Sequence, residues 1–213
     1  MNELKHLLFL TRIDGLGAVR IKRLIDRFGN ASGVFNASIN EISEIENISV
    51  KTAQLILNTY ESIDEFDSTF ETYIEKAEEH GITILSLSDS SYPDLLKRIY
   101  DPPVLLYMRG KYDPALIVNS VGIVGTRKPT DYGKKMAEKF AEELSTAGIA
   151  VISGFARGVD TIAHKAVLKN GNASAITAAV FGCGVDMIYP PENKALYDEM
   201  CERGLLISEY EIS

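Results

Sequence analysis

The chain has 213 residues, with 46% hydrophobic and 24% charged side chains and a formal net charge of −8. This length and composition suit one large or two small globular domains. No apolar run reaches the roughly 20 residues of a membrane-spanning helix, and no secretory signal pattern opens the sequence, so no membrane partner is expected. The two cysteines, Cys183 and Cys201, are too few for a disulfide scaffold, and a reducing, cytoplasmic location is expected.

Basic side chains are concentrated in two short stretches of an otherwise acidic chain. Residues 12–27 hold five basic side chains against two acidic ones, and residues 127–139 also hold five against two. The net negative charge excludes a broad basic coat over the surface. Each stretch is nevertheless dense enough in cations to contact phosphate locally.

Residues 1–65 are predicted to form a small helical domain, because apolar residues recur at helical spacing along most of it. At Gly15-Leu16-Gly17 two predicted helices meet in a tight hairpin, and Arg20 follows in the second helix. Such a helix start offers backbone N–H groups to a nucleic-acid phosphate without reading the bases. The pattern resembles the helix-hairpin-helix motif of SAM-like domains.

Two interpretations of this hairpin remain open on the residues alone. The flanking basic side chains favour contact with DNA phosphates, whereas the glycines by themselves also suit a tight corner inside a helical bundle. A degenerate copy follows at residues 46–51, where Asn47 and Ser49 stand in place of the glycines. We expect this second copy not to bind phosphate.

Residues 66–116 are predicted to connect the helical domain to a sheet domain and to supply its first strands. The acid-rich helix that enters this region ends before a glycine, and a Pro-Pro pair precedes the last strand. The elements expected here are, in order, a helix near 62–80, a strand at 82–87, a short helix over 91–99 and a strand at 104–108.

From residue 117 to residue 213, apolar strand patterns alternate with helical ones. This βαβαβαβ order predicts an α/β fold: a Rossmann-like, mostly parallel sheet with helices on both faces and right-handed crossovers. The strands are expected near 117–124, 149–153, 174–181 and 205–208, and the helices near 131–147, 159–169 and 192–203.

Three glycine-rich turns stand where a predicted strand gives way to a predicted helix. Such turns open on the carboxyl edge of a parallel sheet, so all three are expected to line one crevice. Glycine allows backbone N–H groups to approach an anion, and the following helix N-terminus favours negative charge. The pattern therefore predicts a site for a phosphorylated ligand. The turns are Val124-Gly125-Thr126-Arg127-Lys128, Ser153-Gly154-Phe155-Ala156-Arg157-Gly158-Val159-Asp160 and Phe181-Gly182-Cys183-Gly184-Val185-Asp186.

Catalytic and cofactor motifs are weak in this sequence. Asp160 and His164 share a helix face at i and i+4, but an Asp at a helix start usually caps it and a lone His is usually structural. Cys183 has no evident base beside it, so a packing role is favoured over a nucleophilic one. There is no Walker A motif and no Gly-x-Gly-x-x-Gly turn with an acidic ribose partner. No cofactor and no metal are expected.

Five ordered motifs together resemble the DprA (Smf) family of DNA-processing proteins, and the resemblance covers the whole chain. Tyr92-Pro93 and Asp101-Pro102-Pro103 fit the lead-in of that family. The motifs are Ile123-Val124-Gly125-Thr126-Arg127 with Tyr132-Gly133, the second turn from Ser153 to Asp160 with Ala163-His164, Gly182-Cys183-Gly184-Val185-Asp186, Tyr189-Pro190-Pro191-Glu192-Asn193 and Ser208-Glu209-Tyr210.

The resemblance implies a non-enzymatic protein that binds single-stranded DNA, protects incoming strands in natural transformation and helps to load the RecA recombinase. Such proteins combine a cationic groove with stacking platforms for bases. Tyr132 and Phe155 are candidate platforms, although packing against the sheet is favoured for both. The expected DNA contacts are Arg127 and Lys128 as cations, the amides of Gly125, Thr126 and Arg127 as donors, and Gly154, Ala156, Arg157 and Gly158 as the second wall.

The sequence departs from the family pattern at its end. It stops at Ser213, shortly after Ser208-Glu209-Tyr210, whereas the family continues with an Arg-Asn-Arg segment and further strands and helices. We therefore expect a fragment or truncated member with one sheet edge uncovered, which is a route to association such as a homodimer. In the family the absent part contributes to the DNA pocket, the dimer interface and the recombinase contact.

Two alternatives keep the fold and change the function. Related Rossmann-like proteins bind nucleotide derivatives or cleave them as phosphoribohydrolases, but their Pro-Gly-Gly-x-Gly-Thr turn and its glutamate are absent from this sequence. The second alternative is an inactive truncated remnant.

Overall fold

The computed structural model describes residues 3–171 and 176–213, apart from the side chain of Leu116. The chain divides into two compact units. The first comprises the N-terminal residues up to Lys76 and two later segments, 86–89 and 94–105. The second comprises residues 77–85, 90–93 and 106–213. None of the helices in the described ranges combines the length and apolarity that a membrane span needs.

The first unit is helical, as the spacing of its apolar residues predicts. Capping side chains mark two of its helix starts: Ser38 and Glu41 form a reciprocal capping box, and Ser49 accepts a hydrogen bond from the Thr52 amide at 3.1 Å. Its helices are α1 (Glu3–Thr11), α2 (Ala18–Phe28), α3 (Ala31–Phe35), α4 (Ile39–Ser43), α5 (Val50–Tyr60), α6 (Ile63–Glu79, which runs on into the second unit) and the short α7 (Asp94–Lys97).

Aromatic and branched aliphatic side chains fill the core of this unit. The rings of Phe35 and Tyr60 are stacked with centroids 4.0 Å apart, and Phe9 packs edge-on against both. Lys5 is buried as well, and it forms an ion pair with Asp67 of α6. These contacts fix the bundle that carries the two hairpins. The branched aliphatic side chains that are almost fully buried here are Leu7, Leu8, Leu10, Ile21, Leu24, Val34, Ile42 and Ile56.

The strands and the remaining helices follow α6 along the chain, and α7 lies between the first two strands in sequence. The strands are β1 (Ile82–Ser86), β2 (Leu105–Gly110), β3 (Ser120–Gly122), β4 (Ala150–Ser153), β5 (Thr177–Phe181) and β6 (Leu205–Ser208). The helices are α8 (Pro114–Ile117), α9 (Asp131–Thr146), α10 (Val159–Asn170) and α11 (Lys194–Arg203), the last preceded by a 3₁₀ turn at Pro191–Asn193.

Within the described residues the strands form one sheet in the order β1-β2-β6-β5-β4-β3. Strands β3 to β6 pair in parallel, and β2 runs antiparallel to β6 with Tyr107 opposite Ser208. The prediction of an α/β fold with a mostly parallel sheet and a preceding helical domain is confirmed. The parallel register brings the ends of β3, β4 and β5, and hence the three glycine turns, to the same edge of the sheet.

The strand predicted over residues 117–124 is too long. Strand β3 begins only at Ser120, and Ile117 is the last residue of the short helix α8. This helix forms because the Asp113 carboxylate caps it by accepting from the Ala115 amide at 2.9 Å and Pro114 suits its first position. The ladder then continues to the Ile123 amide, which donates to the Ile152 carbonyl at 2.9 Å. Part of the strand predicted over 174–181 lies outside the described residues.

Helices α9 and α10 pack on each other and on strand β4. Small residues permit this close approach: Ala141 and Ala163 are fully buried next to Val151 of β4. Ile123 and Leu144 cover the cluster. The packing positions the start of α10, which follows the second glycine turn.

Candidate nucleic-acid interface

The three glycine turns converge on one open cavity of about 330 Å³. Each turn contributes to its wall, so the convergence predicted from the strand–turn–helix pattern is present in the structure. Two guanidinium groups lie in the same wall as apolar side chains. The lining residues are Arg127 from the first turn, Gly154, Ala156 and Arg157 from the second, Phe181, Gly182 and Cys183 from the third, and Met187, Tyr189 and Pro190 from the segment that follows.

The first and second turns lie back to back, and glycines make this approach sterically feasible. A Cβ on Gly125 would fall 2.6 Å from the Val159 side chain, and a Cβ on Gly158 would fall 2.3 Å from the Thr126 carbonyl oxygen. Gly158 also has φ +82°, where a side chain is strained. The Thr126 carbonyl accepts from the Val159 amide at 3.3 Å. These glycines therefore hold two loops together, a role additional to the predicted approach to phosphate.

The two cations predicted in the first turn differ in position. Both Arg127 and Lys128 are exposed, and within the described ranges neither side chain forms an ion pair. Arg127 lines the cavity, whereas Lys128 is not among its lining residues. The Lys128 amide donates to the Thr126 hydroxyl at 3.2 Å, which stabilises the turn. Arg127 is thus the cation of this turn that is available to a ligand in the cavity.

Arg157, in the second turn, is paired with an acid. Its guanidinium contacts both carboxylate oxygens of Glu192, through Nε and, at 3.1 Å, through Nη2. Both side chains remain about half exposed. Hydrogen bonds from Arg157 lower the pKa of the Glu192 carboxyl, so the pair is charged at neutral pH. This cation was expected to face DNA, but in the structure it is neutralised by a residue 35 positions away.

Phe155 and Tyr132 behave differently from each other. Phe155 is 1% exposed and stacks on Phe181 with centroids 4.9 Å apart, so its packing role is confirmed. Tyr132 is 74% exposed, and the expectation that it packs is wrong. The buried residues of α9 recur every four positions, at Ala137, Ala141 and Ser145. Tyr132 is not in this series, so its side chain lies on another face of the helix. Tyr132 is also absent from the cavity lining.

Asp160 and His164 are buried parts of the scaffold. The Asp160 carboxylate accepts from the Ala156 amide at 3.2 Å and so fixes the second turn. His164 Nδ1 lies 2.6 Å from the Thr177 hydroxyl, which itself donates to the Val151 carbonyl at 3.0 Å. Since that hydroxyl proton is used, Nδ1 carries the proton and donates. Burial lowers the pKa of His164 to about 3, so the ring is neutral at physiological pH.

No nucleophile or metal site emerges near the cavity in the part of the chain that the structure describes. Burial raises the pKa of the Cys183 thiol, which disfavours the reactive thiolate. Among the described residues, no group of three or more His, Cys, Asp or Glu side chains is arranged to hold a metal ion. The favoured packing role of Cys183 agrees with these surroundings.

Sequence reasoning assigned no role to two residues that matter here. Tyr189 lines the cavity and is 63% exposed, and Glu192 pairs with Arg157. Both belong to Tyr189-Pro190-Pro191-Glu192-Asn193, which was identified only as a motif of the resembled family. An aromatic residue directly before two prolines was the available signal, since prolines hold a short segment in a fixed extended path.

The first hairpin of the helical unit has the geometry expected of its glycines. Gly15 has φ +76°, and Gly17 begins α2 without any side-chain cap. The Arg20 guanidinium donates to the Gly15 carbonyl at 2.5 Å, so this predicted phosphate ligand closes its own hairpin. The second hairpin keeps the same backbone shape, with Asn47 at φ +66°. Asparagine tolerates this left-handed conformation better than most residues, which explains how the glycine was replaced.

An arginine ties the two hairpins together. Arg23 of α2 donates to the Glu46 carbonyl at 3.0 Å and pairs with the Glu46 carboxylate at 3.0 Å. One of the basic side chains that favoured DNA contact is thereby used inside the helical unit. The docking of phosphate on Gly15, Gly17 and Arg20 stays a prediction.

Comparison with known proteins gives matches over both parts of the chain. A SAM-like helix-hairpin-helix tandem matches residues 7–60. Protein Smf of Synechocystis sp. is 33% identical over 99% of this chain and 52% of its own length. The chain spans about half the length of the curated relatives that it matches over most of its length.

Two solved structures are similar in fold as well as in sequence. The X-ray structure of DNA processing protein A (DprA) from Streptococcus pneumoniae covers 97% of this chain, with a TM-score of 0.77 and 29% identity over 68% of that protein. DNA processing protein A from Helicobacter pylori, whose structure concerns its single-stranded DNA binding mode, covers 62% of this chain and 57% of its own, with a TM-score of 0.53 and 34% identity.

The profile of the DNA recombination-mediator protein A family matches residues 83–213, which contain all three glycine turns and the cavity they line. With that match over more than half of its length, the chain belongs to the DNA recombination-mediator protein A family, the DprA (Smf) proteins.

Proposed function

We propose that this chain binds single-stranded DNA in the cavity between the three glycine turns, as part of DNA processing in transformation and recombination. The main observation behind this proposal is the position of Arg127. Its side chain is exposed, lines the cavity and makes no ion pair within the described residues. It lies at the end of the first turn, where the wall also holds the backbone of the other two turns. The single-stranded DNA binding of the Helicobacter pylori relative supports this choice of ligand.

Phosphate recognition follows from the chemistry of the wall. A planar guanidinium holds two phosphate oxygens at once, and backbone amides at glycine turns add fixed donors. The proposed donors are the amides of Gly125, Thr126 and Arg127 and those of Gly154 and Gly158. Ala156 contributes to the wall without its amide, which already donates to the Asp160 carboxylate. Since these groups read only the phosphates, the binding has no sequence preference. Lys128 contributes long-range attraction from outside the cavity.

Tyr189 is the proposed base platform. Its ring is largely exposed and lies in the same cavity wall as Arg127 and Arg157. Single-strand binding proteins combine cations for the backbone with aromatic faces for the bases, and every base has a face that can stack. Neither Tyr132 nor Phe155 supplies such a face here, because the first lies outside the lining and the second is buried.

The wider role is that of a non-enzymatic mediator in the cytoplasm, where free cysteines such as Cys183 and Cys201 stay reduced. The chain protects incoming strands and helps to load RecA on them, a role supported by the description of its family as recombination mediators. RecA filament formation on single-stranded DNA, measured with and without the chain, tests the loading. An unchanged rate of filament formation would contradict it.

A homodimer is proposed on the free edge of the sheet. Strand β3 stands at one end of the strand order; Val121 within it is 41% exposed, and Val124, two residues after it, is 79% exposed. Exposed edge strands with apolar side chains promote association. Light scattering over a range of protein concentrations measures the assembly, and a constant monomer mass would contradict it.

Fluorescence titration of a labelled oligothymidine at low and moderate salt tests the DNA binding. We expect affinity to fall steeply with salt, because phosphate contacts release counterions. Arg127→Ala should weaken binding by about 1–3 kcal/mol, the scale of a lost charge-assisted hydrogen bond, while Lys128→Ala weakens it less. Thermal melting of both variants should match the parent chain, since Arg127 fills no core.

Lys135→Ala is the matched control, because Lys135 is an exposed cation of the same basic stretch and lies outside the cavity lining. Equal losses of oligothymidine affinity in Arg127→Ala and Lys135→Ala would show that binding depends on overall positive charge and not on this cavity. Absence of binding at low salt would overturn the proposed function, and hydrolysis of a nucleoside monophosphate by the chain would favour the phosphoribohydrolase alternative.

A further inference from the structure

The pairing of Arg157 with Glu192 places a carboxylate beside one of the two arginines that line the cavity. Arg157 presents both its Nε and Nη2 to the two carboxylate oxygens, and the second distance is 3.1 Å. Arg157 lines the cavity, and about half of each side chain is exposed. This bidentate arrangement occupies the Nε–Nη2 edge of the guanidinium, one of the two edges through which an arginine binds a phosphate.

The backbone around Glu192 is held independently of this ion pair. Asn193, the next residue, is 4% exposed and donates to the Phe155 carbonyl at 3.1 Å and to the Thr161 hydroxyl at 2.9 Å. These buried bonds attach the 3₁₀ turn to the second glycine turn and to α10. An exposed ion pair, by contrast, contributes little to stability. The Glu192 carboxylate is thus not needed to keep the segment in place.

While the pair is closed, Arg157 offers no net positive charge to a ligand. A phosphate in the cavity can therefore contact the positive charge of Arg127, whereas the charge of Arg157 is neutralised by the Glu192 carboxylate. To bind the Nε–Nη2 edge of Arg157, the phosphate must displace the carboxylate, which then stays nearby and repels it. The exchange replaces one bidentate oxyanion by another, so it occurs without any change in the fold.

We propose that Glu192 is an internal competitor of DNA phosphate for Arg157, so that this carboxylate limits the affinity of the cavity for single-stranded DNA. The inference rests on the proposed function, since it concerns the same cavity and the same ligand. It assigns the phosphodiester as the group that exchanges with Glu192. It also explains how two arginines in one cavity can contribute unequally to binding.

Glu192→Gln tests this directly, because the amide keeps the shape of the side chain and removes its charge. We expect oligothymidine affinity to rise roughly three- to tenfold and the salt dependence to steepen by about 0.7 in log–log slope, as one more phosphate contact is made. In the Arg157→Ala background, Glu192→Gln should give a clearly smaller gain than in the parent chain, because it then only relieves the repulsion from an unpaired carboxylate and frees no cation.

Glu199→Gln is the matched control for loss of a negative charge. Glu199 pairs with Arg203 at 2.6 Å on α11, is exposed to a similar degree and does not line the cavity. Its replacement should leave affinity unchanged. A gain of equal size in Glu199→Gln, or an undiminished gain in the Arg157→Ala background, would show a general charge effect and overturn the competition.

Two further outcomes separate the inference from the proposed function. If the parent chain binds oligothymidine and Glu192→Gln binds it equally well or more weakly, Glu192 is no competitor and the inference fails alone. A sharp drop in the melting temperature of Glu192→Gln without a gain in affinity would identify Glu192 as a structural brace, with the same consequence. If neither chain binds at low salt, the proposed function fails, and the inference fails with it.

Discussion

Arg127 and Arg157 show how two identical side chains in one cavity acquire different states. Arg127 follows a short strand and makes no ion pair within the described residues, whereas Arg157 faces the Glu192 carboxylate. Both arginines belong to glycine turns at the same edge of the sheet and line the same cavity. The difference between them therefore arises from the side chains that the fold places next to each. Whether an arginine in this cavity can bind phosphate thus depends on whether a carboxylate is already paired with it.

Tyr189→Ala should weaken oligothymidine binding while leaving the fold intact. Base–aromatic stacking is worth about 1–3 kcal/mol per base, and the exposed ring of Tyr189 fills no core. Tyr189→Phe should bind nearly as well as the parent chain, because the stacking face is kept. Tyr132→Ala serves as the control, since its ring is exposed outside the cavity. Fluorescence titration measures all three, and equal affinity of Tyr189→Ala and the parent would contradict the stacking role.

His164 should make the sheet unit sensitive to acid. Its pKa is about 3 in the folded chain and near 6.5 when unfolded, so between these values the unfolded state binds the additional proton. The contribution of this residue to stability is therefore fully present above pH 6.5 and is lost as the pH falls towards 3. The expected slope is about 1.4 kcal/mol per pH unit in that window.

Urea unfolding from pH 7 to pH 4 measures this loss. His164→Asn keeps a donor for the Thr177 hydroxyl and removes the titrating ring, so its stability should fall less steeply over the same range, although it starts lower because a cavity is left. Parallel slopes for the two chains would contradict the assignment to His164.

At the scale of elements, the cavity depends on how closely the first two turns approach each other. Gly158 brings the backbone of the second turn against the carbonyl of Thr126, and Gly125 brings the first turn against Val159 of α10. The parallel pairing of β3 with β4 sets the two turns side by side. Glycine therefore acts here on the packing between elements as well as on the shape of each turn.

Gly158→Ala should destabilise the second compact unit and disturb the proposed DNA site together. The new Cβ would lie 2.3 Å from the Thr126 carbonyl oxygen, and φ is +82°. Gly81→Ala is the control, since Gly81 has φ +63° and a Cβ added there would meet no described atom within 4 Å. That variant should lose about 1–2 kcal/mol from backbone strain alone, and Gly158→Ala clearly more. Equal losses in unfolding free energy would show that close approach is unimportant at Gly158.

At the scale of the whole molecule, the net charge is negative although the charge near the cavity is positive. The chain carries a formal charge of −8, yet the cavity wall contains two arginines, and the stretch 127–139 is basic. Binding of a polyanion to such a protein relies on short-range contacts in the cavity more than on long-range attraction. The two compact units keep their basic stretches separate along the chain, one in the hairpin region and one after β3.

Much of this organisation was predictable from short windows of sequence. Apolar periodicity located the helices and most strands, and glycines at strand ends located the three turns and the first hairpin, because each of these depends on neighbouring residues. The order of strands and helices predicted a mostly parallel sheet, and a parallel sheet brings its turns to one edge. Arg127 in the cavity wall follows from that rule.

Only the tertiary structure decided which side chains meet across long separations in the chain. The pairing of Arg157 with Glu192, the place of Tyr189 in the cavity and the position of Lys128 outside its lining depend on how distant segments pack. The antiparallel pairing of β2 with β6 is of the same kind. No local pattern encodes these contacts, because each requires two segments whose relative position is set by the folded core and not by the residues beside them.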